Sequence, residues 1–489
     1  MQNLLKMGNK SLKQSTINGV IWSAVEKFST LAIQMICTLI IAQFLTPSDF
    51  GTVGMLTIFI AIAQCLVDSG FRTALIRKSD ASNLDYSSVF YFNIVFSAVL
   101  YCALYFCSPF IASFYNIPEL EDVAKIAFVV IPINAFGLIQ GTILTKNLQF
   151  KTITRVTLYS AIISGAVGVY LAFQYQSLWA LVVQHVLFYC LQTCFLWLFT
   201  KWHPLIAFSV ASIRGMLSFS LNMMLSSLIG TIFSNLYGLI IGKLYTPADL
   251  GNYSQAQKLQ SLPSTSITEV IQRVTYPVLS RFQHDDTLLK NAYRRMIGVS
   301  FLIVAYVMFL LMAISTPLFD ILFSDEWATA GKFFTILCLN GVFYPLHSIN
   351  INILTVKGKS KEYLFLEIAR RCIFVLVVAI TANFAIDVFV CGMVVYSVIV
   401  LTLNLAVCGH YIQYSLIDQI KDLTPTFLIG ATAMIVAKYG VSLLISNSWL
   451  LGIAQLIVAL LIMLSLSVVT RNKYFYEIVE IVQSKLKRN

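Results

Sequence analysis

Charge is scarce in this sequence: Asp, Glu, Lys and Arg make up 11% of 489 residues, against 58% hydrophobic, and the mean hydropathy is +0.80. A soluble core of that size could not bury so much apolar surface, so the composition reads as an integral membrane protein. Enzyme signatures are missing too. There is no GxxxxGKS/T phosphate loop, no HExxH, no GxSxG and no metal-spaced Cys/His cluster. Their absence removes ATP hydrolysis by the familiar route, zinc-protease and serine-hydrolase chemistry, and leaves no cofactor to expect. The ten cysteines lie in or at the edge of apolar runs, which gives neither a loop disulfide framework nor a metal site. Cys190 and Cys194 share a helix face and read as small core residues.

What is present is a series of apolar runs, each about twenty residues long, enough to cross ~30 Å of hydrocarbon as a helix. The expected spans are 17–43, 51–76, 86–108, 123–145, 152–174, 178–199, 215–244, 251–279, 296–316, 332–355, 363–384, 389–409, 423–445 and 449–470. That predicts an all-α membrane protein of about fourteen helices. The first run follows Lys6, Lys10 and Lys13, is too long for a signal-peptide core, and lacks a small-residue cleavage site. With the N-terminus inside, the inner segments collect most of the basic residues, from Arg77 and Lys78 through Lys146, Lys357 and Lys421 to Lys487 and Arg488. The outer loops carry no Lys or Arg and instead hold acids such as Glu119, Asp122 and Asp325. The net charge of +11 is thus a topology signal that puts both termini in the cytoplasm, not a nucleic-acid signature.

The stretch "LIIAQFLTPSDFG" at 39–51 returns as "LIIGKLYTPADLG" at 239–251, a constant offset that six spans separate. An even number of crossings makes the repeat parallel. "ILTKNLQFK" (143–151) likewise has a counterpart in "ILTVKGKSK" (353–361). The expected organisation is an inner N-terminus at 1–16, an N-lobe at 17–200, an inner linker at 201–214, a C-lobe at 215–410, two further helices at 411–470 and a tail at 471–489. In the repeated turn, Thr46 and Thr246 read as N-caps, Pro47 and Pro247 as first-turn prolines, and Asp49 and Asp249 as acids at the positive end of a helix. The tail "YFYEIVEIVQSKLKRN" has the spacing of an amphipathic helix on the inner surface.

Ionisable residues inside the spans are costly and mark interior or aqueous positions. Among them are Glu26 and Lys27 in the first span, Asp68 and Arg72 in the second, Arg155 in the fifth, and Lys258, Glu269 and Arg273 in the eighth. Asp68 with Arg72, and Glu269 with Arg273, are acid-then-arginine pairs at a spacing of four, which places each pair on one helix face. The eighth span is rich in Ser, Thr and Gln and holds Pro263 and Pro277, so it lines something polar or packs inside the protein. His185 and His347 stand alone in apolar spans, where packing or a proton relay are the two readings. Pro132 and Pro345, mid-span, read as hinges or fixed kinks.

The fourteen-span plan, the TPxDxG turns, "LGNYSQAQKL" at 250–259 and "EVIQRVTYPVLSRFQHD" at 269–285 resemble the polysaccharide exporters of the MOP flippase superfamily, in the branch of colanic acid and teichuronic acid exporters. The resemblance implies a flippase for polyprenyl-pyrophosphate-linked oligosaccharide in the bacterial inner membrane, with membrane lipids, polysaccharide polymerase and glycosyltransferases as partners and no nucleic acid. It implies a cationic cavity bordered by spans one, two, seven and eight. By position, Lys27, Arg72, Lys258 and Arg273, with Arg155, are the implied pyrophosphate contacts, and Glu26, Asp68 and Glu269 their charge partners or coupling groups. Two rival readings remain: a multidrug or cation antiporter of the same superfamily, and a membrane polysaccharide polymerase or ligase. The two extra helices and the arginine in each lobe weigh against the first; the short, arginine-free outer loops weigh against the second.

Overall fold

In the computed structural model the described residues are 2–486, and among them the chain is helical with no strand. Lys487 and Arg488 of the basic tail lie outside the described residues, as do the side chains of Lys6, Lys10 and Lys13. Lipid offers the backbone no hydrogen-bond partners, so a chain this apolar satisfies its N–H and C=O groups within helices. The order is α1 (Gln2–Ile41), α2 (Pro47–Met55), α3 (Thr57–Asp68), α4 (Phe71–Arg77), α5 (Asn83–Tyr115), α6 (Leu120–Ala127), α7 (Val130–Lys146), α8 (Phe150–Tyr175), α9 (Trp179–Phe199) and α10 (Val210–Leu244). Then come α11 (Pro247–Arg281), α12 (Asp286–Ala313), α13 (Ser315–Leu322), α14 (Ala328–Val356), α15 (Ser360–Thr381), α16 (Ile386–His410), α17 (Leu416–Ile435), α18 (Ser448–Val469) and α19 (Lys473–Leu486).

Every one of the fourteen expected spans is helical, but among the described residues 12 are long and apolar enough to cross a membrane. The other two are α11 and α15. Charge and hydroxyls dilute α11, while Lys361, Glu362, Glu367, Arg370 and Arg371 crowd α15. The chain divides into two compact units, Met1–Gly251 and Asn252–Asn489. In the first, α8 packs on α1 and α9, and α10 packs on α3, α4 and α5. In the second, α12 and α14 form the core with α16 and α17 against them.

The repeated turn is built as its residues require. Thr46 accepts from the Asp49 N–H at 3.3 Å, while the Asp49 carboxylate accepts from the Thr46 N–H at 2.9 Å and its hydroxyl at 2.7 Å. Thr246 and Asp249 repeat the reciprocal cap at 3.1, 3.1 and 2.7 Å. Each cap satisfies amide groups that a helix start leaves open, and Pro at the first helical position loses nothing by lacking one. Within the first unit the two turns also touch. A Cβ on Gly51 would strike the carbonyl oxygen of Pro247, and one on Gly251 would strike that of Pro47, with Gly251 N and Gly51 N only 3.0 and 3.1 Å from those positions. The glycine that ends each TPxDxG motif is what lets two helix starts cross backbone to backbone.

Two prolines resolve differently from one another. Pro132 lies in the first turn of α7, just after the chain breaks between α6 and α7, whereas Pro345 is buried inside the continuous α14. The tail helix α19 docks on protein: Tyr474 is 3% exposed with its ring over Gly298 of α12, and Arg295 pairs with Glu477 at 3.0 Å. Burial pushes the Tyr474 hydroxyl up to about 12.

Candidate functional site

In the first unit the expected residues come from α1, the α3–α4 pair and α8. Thr154 and Thr157, one turn apart on α8, both face α1: Thr154 donates to the Trp22 carbonyl at 3.2 Å and Thr157 to the Glu26 carboxylate at 3.1 Å. Glu26 is thereby fixed by a hydroxyl that composition alone did not single out. Lys27, next along α1, and Arg155, between the two threonines, are exposed.

Asp68 and Arg72 meet, at 3.5 Å, though not on one helix as their spacing suggested. Asp68 ends α3 and Arg72 opens α4, because Ser69 and Gly70 both take the left-handed conformation, with φ of 47° and 69°. Gly70 is required twice over, by its φ and by contact: a Cβ there would strike the Ser220 carbonyl and lie 2.9 Å from Met223 Cβ, both on α10. The two side chains remain 38% and 44% exposed, so the pair is loose and solvent-screened. Gly141 of α7 leaves room beside the guanidinium, with Arg72 Nη2 4.0 Å from where its Cβ would be.

In the second unit α11 runs through Pro263 and Pro277 and has two polar faces of different kinds. Gln260, Ser264, Thr268 and Thr275 are buried. Their hydroxyls return to the helix's own carbonyls, as in Thr268 to Ser264 at 2.7 Å and Thr275 to Ile271 at 2.9 Å. Gln272 ties the helix to the Ser348 carbonyl of α14 at 3.0 Å. Much of the polarity of this span therefore belongs to packing. Lys258, Glu269 and Arg273, by contrast, are all exposed.

The sequence reading missed charged groups, among them a cluster on α15. On α15, Arg370 and Arg371 both bond Glu367, the latter at 2.6 Å, and Arg370 is 17% exposed. Their E-x-x-R-R spacing, three and four residues apart, was the available signal. Nor is His347 alone: its Nε2 lies 2.9 Å from Ser397 Oγ and its Nδ1 3.3 Å from Asn404 Nδ2. His185 packs its ring edge-on to Tyr189, with centroids 5.2 Å apart.

Similar proteins agree with one another. Teichuronic acid biosynthesis protein TuaB of Bacillus subtilis is 24% identical over 72% of this chain and 73% of its own length. Lipopolysaccharide biosynthesis protein WzxC of Escherichia coli is 22% identical over 68% of both chains. Among solved structures, the lipid II flippase MurJ in an inward closed conformation superposes with a TM-score of 0.73 at 14% identity, covering 93% of this chain and 99% of its own. An inward-facing multidrug resistance MATE family transporter of the MOP superfamily gives 0.61 at 14% identity, covering 81% and 99%. These structures share the multi-pass helical fold of this chain. With residues 40–332 matching the model of the family described as polysaccharide biosynthesis protein, this chain belongs to that family.

Proposed function

We propose that the protein is a flippase that moves a polyprenyl-pyrophosphate-linked oligosaccharide from the inner to the outer leaflet of a bacterial inner membrane by alternating access, for surface polysaccharide synthesis. The observation that carries this reading is the exposure of Lys27, Arg72 and Arg155 on apolar helices of the first unit and of Lys258 and Arg273 on the polar α11 of the second. A cation at membrane depth costs about 2.5–3.5 kcal/mol, so exposed cations there serve an anionic or hydrated cargo. A pyrophosphate diester offers both charge and paired acceptor oxygens, which arginine binds through two parallel hydrogen bonds. Glu26, Asp68 and Glu269 are the counter-charges that hold these cations between cargoes.

Family membership and the names of the relatives support the cargo class, and the two-unit fold supports a transporter mechanism over a catalytic one. The reading includes fourteen crossings with both termini cytoplasmic, an N-lobe and a C-lobe followed by two extra helices, and functional coupling to polymerase and glycosyltransferases. Liposomes holding the purified protein and a fluorescent polyprenyl-pyrophosphate oligosaccharide test it. Protein-dependent exposure of inner-leaflet sugar to an added glycosidase is the expected result. Absence of exposure, together with ion-driven efflux of small cationic drugs, would establish the antiporter instead.

A further inference from the structure

We infer that the segment joining α9 to α10 is a lipid-surface anchor that takes anionic phospholipid, phosphates beside its cations and the upper chain carbons around its apolar side chains. Residues 200–209 lie outside the helices. Among them Leu205, Ile206 and Phe208 are 44%, 102% and 53% exposed, and Val210, which opens α10, is 68% exposed. The connector between α16 and α17 treats its apolar residues in the opposite way, burying Ile412 completely and leaving Tyr414 2% exposed. What holds the α9–α10 segment open is α5. Ser87 and Ser88 donate to the carbonyls of Asn83 and Leu84 at 2.8 and 2.7 Å, and accept the N–H of Leu205 at 2.8 Å and of Ser209 at 2.9 Å. Trp202 donates its indole N–H to Asn83 Oδ1 at 3.0 Å. The backbone is thus fastened to α5 while Ile206 and Phe208 stay uncovered.

Depth and charge together name the occupant. The apolar helix α9 has 21 residues. At 1.5 Å per residue that is about 31 Å, the thickness of the hydrocarbon, so its end lies at the headgroup boundary. Phe90 of α5 meets both Trp197, in the last turn of α9, and Trp202, with ring centroids 5.9 and 5.8 Å apart. Ser87 and Ser88 are within one turn of Phe90, which puts the fastened segment about 5 Å beyond the hydrocarbon. Tryptophan collects at that level, and apolar side chains reach back into lipid from it. Residues 200–214 include Lys201, His203 and Arg214 and hold no Asp or Glu. Lys201 and Arg214 are exposed. The acid on the adjoining turn of α5, Asp85, is 3% exposed and paired with Lys78 at 2.8 Å, so it offers these cations no counter-charge. Exposed cations beside uncovered apolar side chains complement an anionic phospholipid. An acidic protein surface would match the charge but not the depth.

The test is photolabelling of the full-length protein in phosphatidylcholine nanodiscs that carry, in parallel samples, a phosphatidylglycerol or a phosphatidylcholine probe with a diazirine on its upper chain carbons. Labelled residues are mapped by mass spectrometry, with Val469, 75% exposed at the end of the crossing helix α18, as the control at the same depth. Wild type should label at 205–208, more strongly with the phosphatidylglycerol probe. Ile206→Ser combined with Phe208→Ser should lose the label there and keep it at Val469. Both side chains are exposed, so the substitutions empty no packed core. Lys201→Gln should keep the label and lower the preference for phosphatidylglycerol by about 5-fold, the effect of one charge near an anionic surface. Label at Val469 with none at 205–208 in the wild type overturns the inference and leaves the patch to a protein partner. Equal labelling by the two probes overturns the anionic lipid as its occupant.

Discussion

In the first unit the chain breaks between Asp68 and Arg72, so the acid ends one helix and the arginine begins the next; in the second, Glu269 and Arg273 stand one turn apart in a helix that runs on through two prolines. The break belongs to Ser69 and Gly70, pinned against α10, while the corresponding residues in α11 are Val270 and Ile271, which any helix accommodates. The same charge spacing is therefore held in two ways. One arginine is placed by a backbone corner, the other by a buried face of Gln, Ser and Thr on the far side of its helix. A repeat preserves where charge is needed more faithfully than how it is supported.

Exchanging the supports breaks the comparison most sharply. Gly70→Ile, which gives the first copy the residue of the second, should lose about 3 kcal/mol, from positive φ on a β-branched residue and the clash with α10. Ile271→Gly should lose only about 1 kcal/mol from helix propensity, plus a little packing. Thermal unfolding in detergent measures both, and equal losses would mean that the corner at Gly70 carries no strain.

Removing the charges sharpens it. Arg72→Ala and Arg273→Ala should each slow oligosaccharide exposure by about 30-fold, near 2 kcal/mol for a hydrogen-bonded charge, with the Lys variants intermediate. Wild-type rates in Arg273→Ala would sink the role given to that residue. The crossing of the two turns predicts a third, smaller effect. Gly51→Ala and Gly251→Ala should each cost about 1.5 kcal/mol by overpacking, and nearly equally, because each meets the other's proline carbonyl. Smallest are the caps: Thr46→Ala and Thr246→Ala should each lose about 1 kcal/mol, again as a matched pair.

The caps were readable in the sequence because Thr, Pro and Asp at those spacings act on their own backbone. The crossing of the two turns was not, since a glycine does not announce which distant carbonyl it admits. The pairing of Asp68 with Arg72 was anticipated, but on one helix face; Ser69-Gly70 looks like any small pair until the chain turns left-handed there. In the eighth span, hydropathy could not separate hydroxyls that bond their own helix from charges that face outward, because both lower it alike. His347 looked solitary because its partners lie 50 and 57 residues further along the chain.

Composition, apolar run length and the duplicated turn by themselves determined a multi-pass helical protein in two related halves, because those properties follow from transfer of side chains to lipid and from local backbone chemistry. Only the tertiary structure decided which polar groups are spent on packing and which stay exposed. It also decided where the second span breaks and that α10 joins the first unit. Those outcomes depend on contacts between residues far apart in the chain, and no local propensity encodes them.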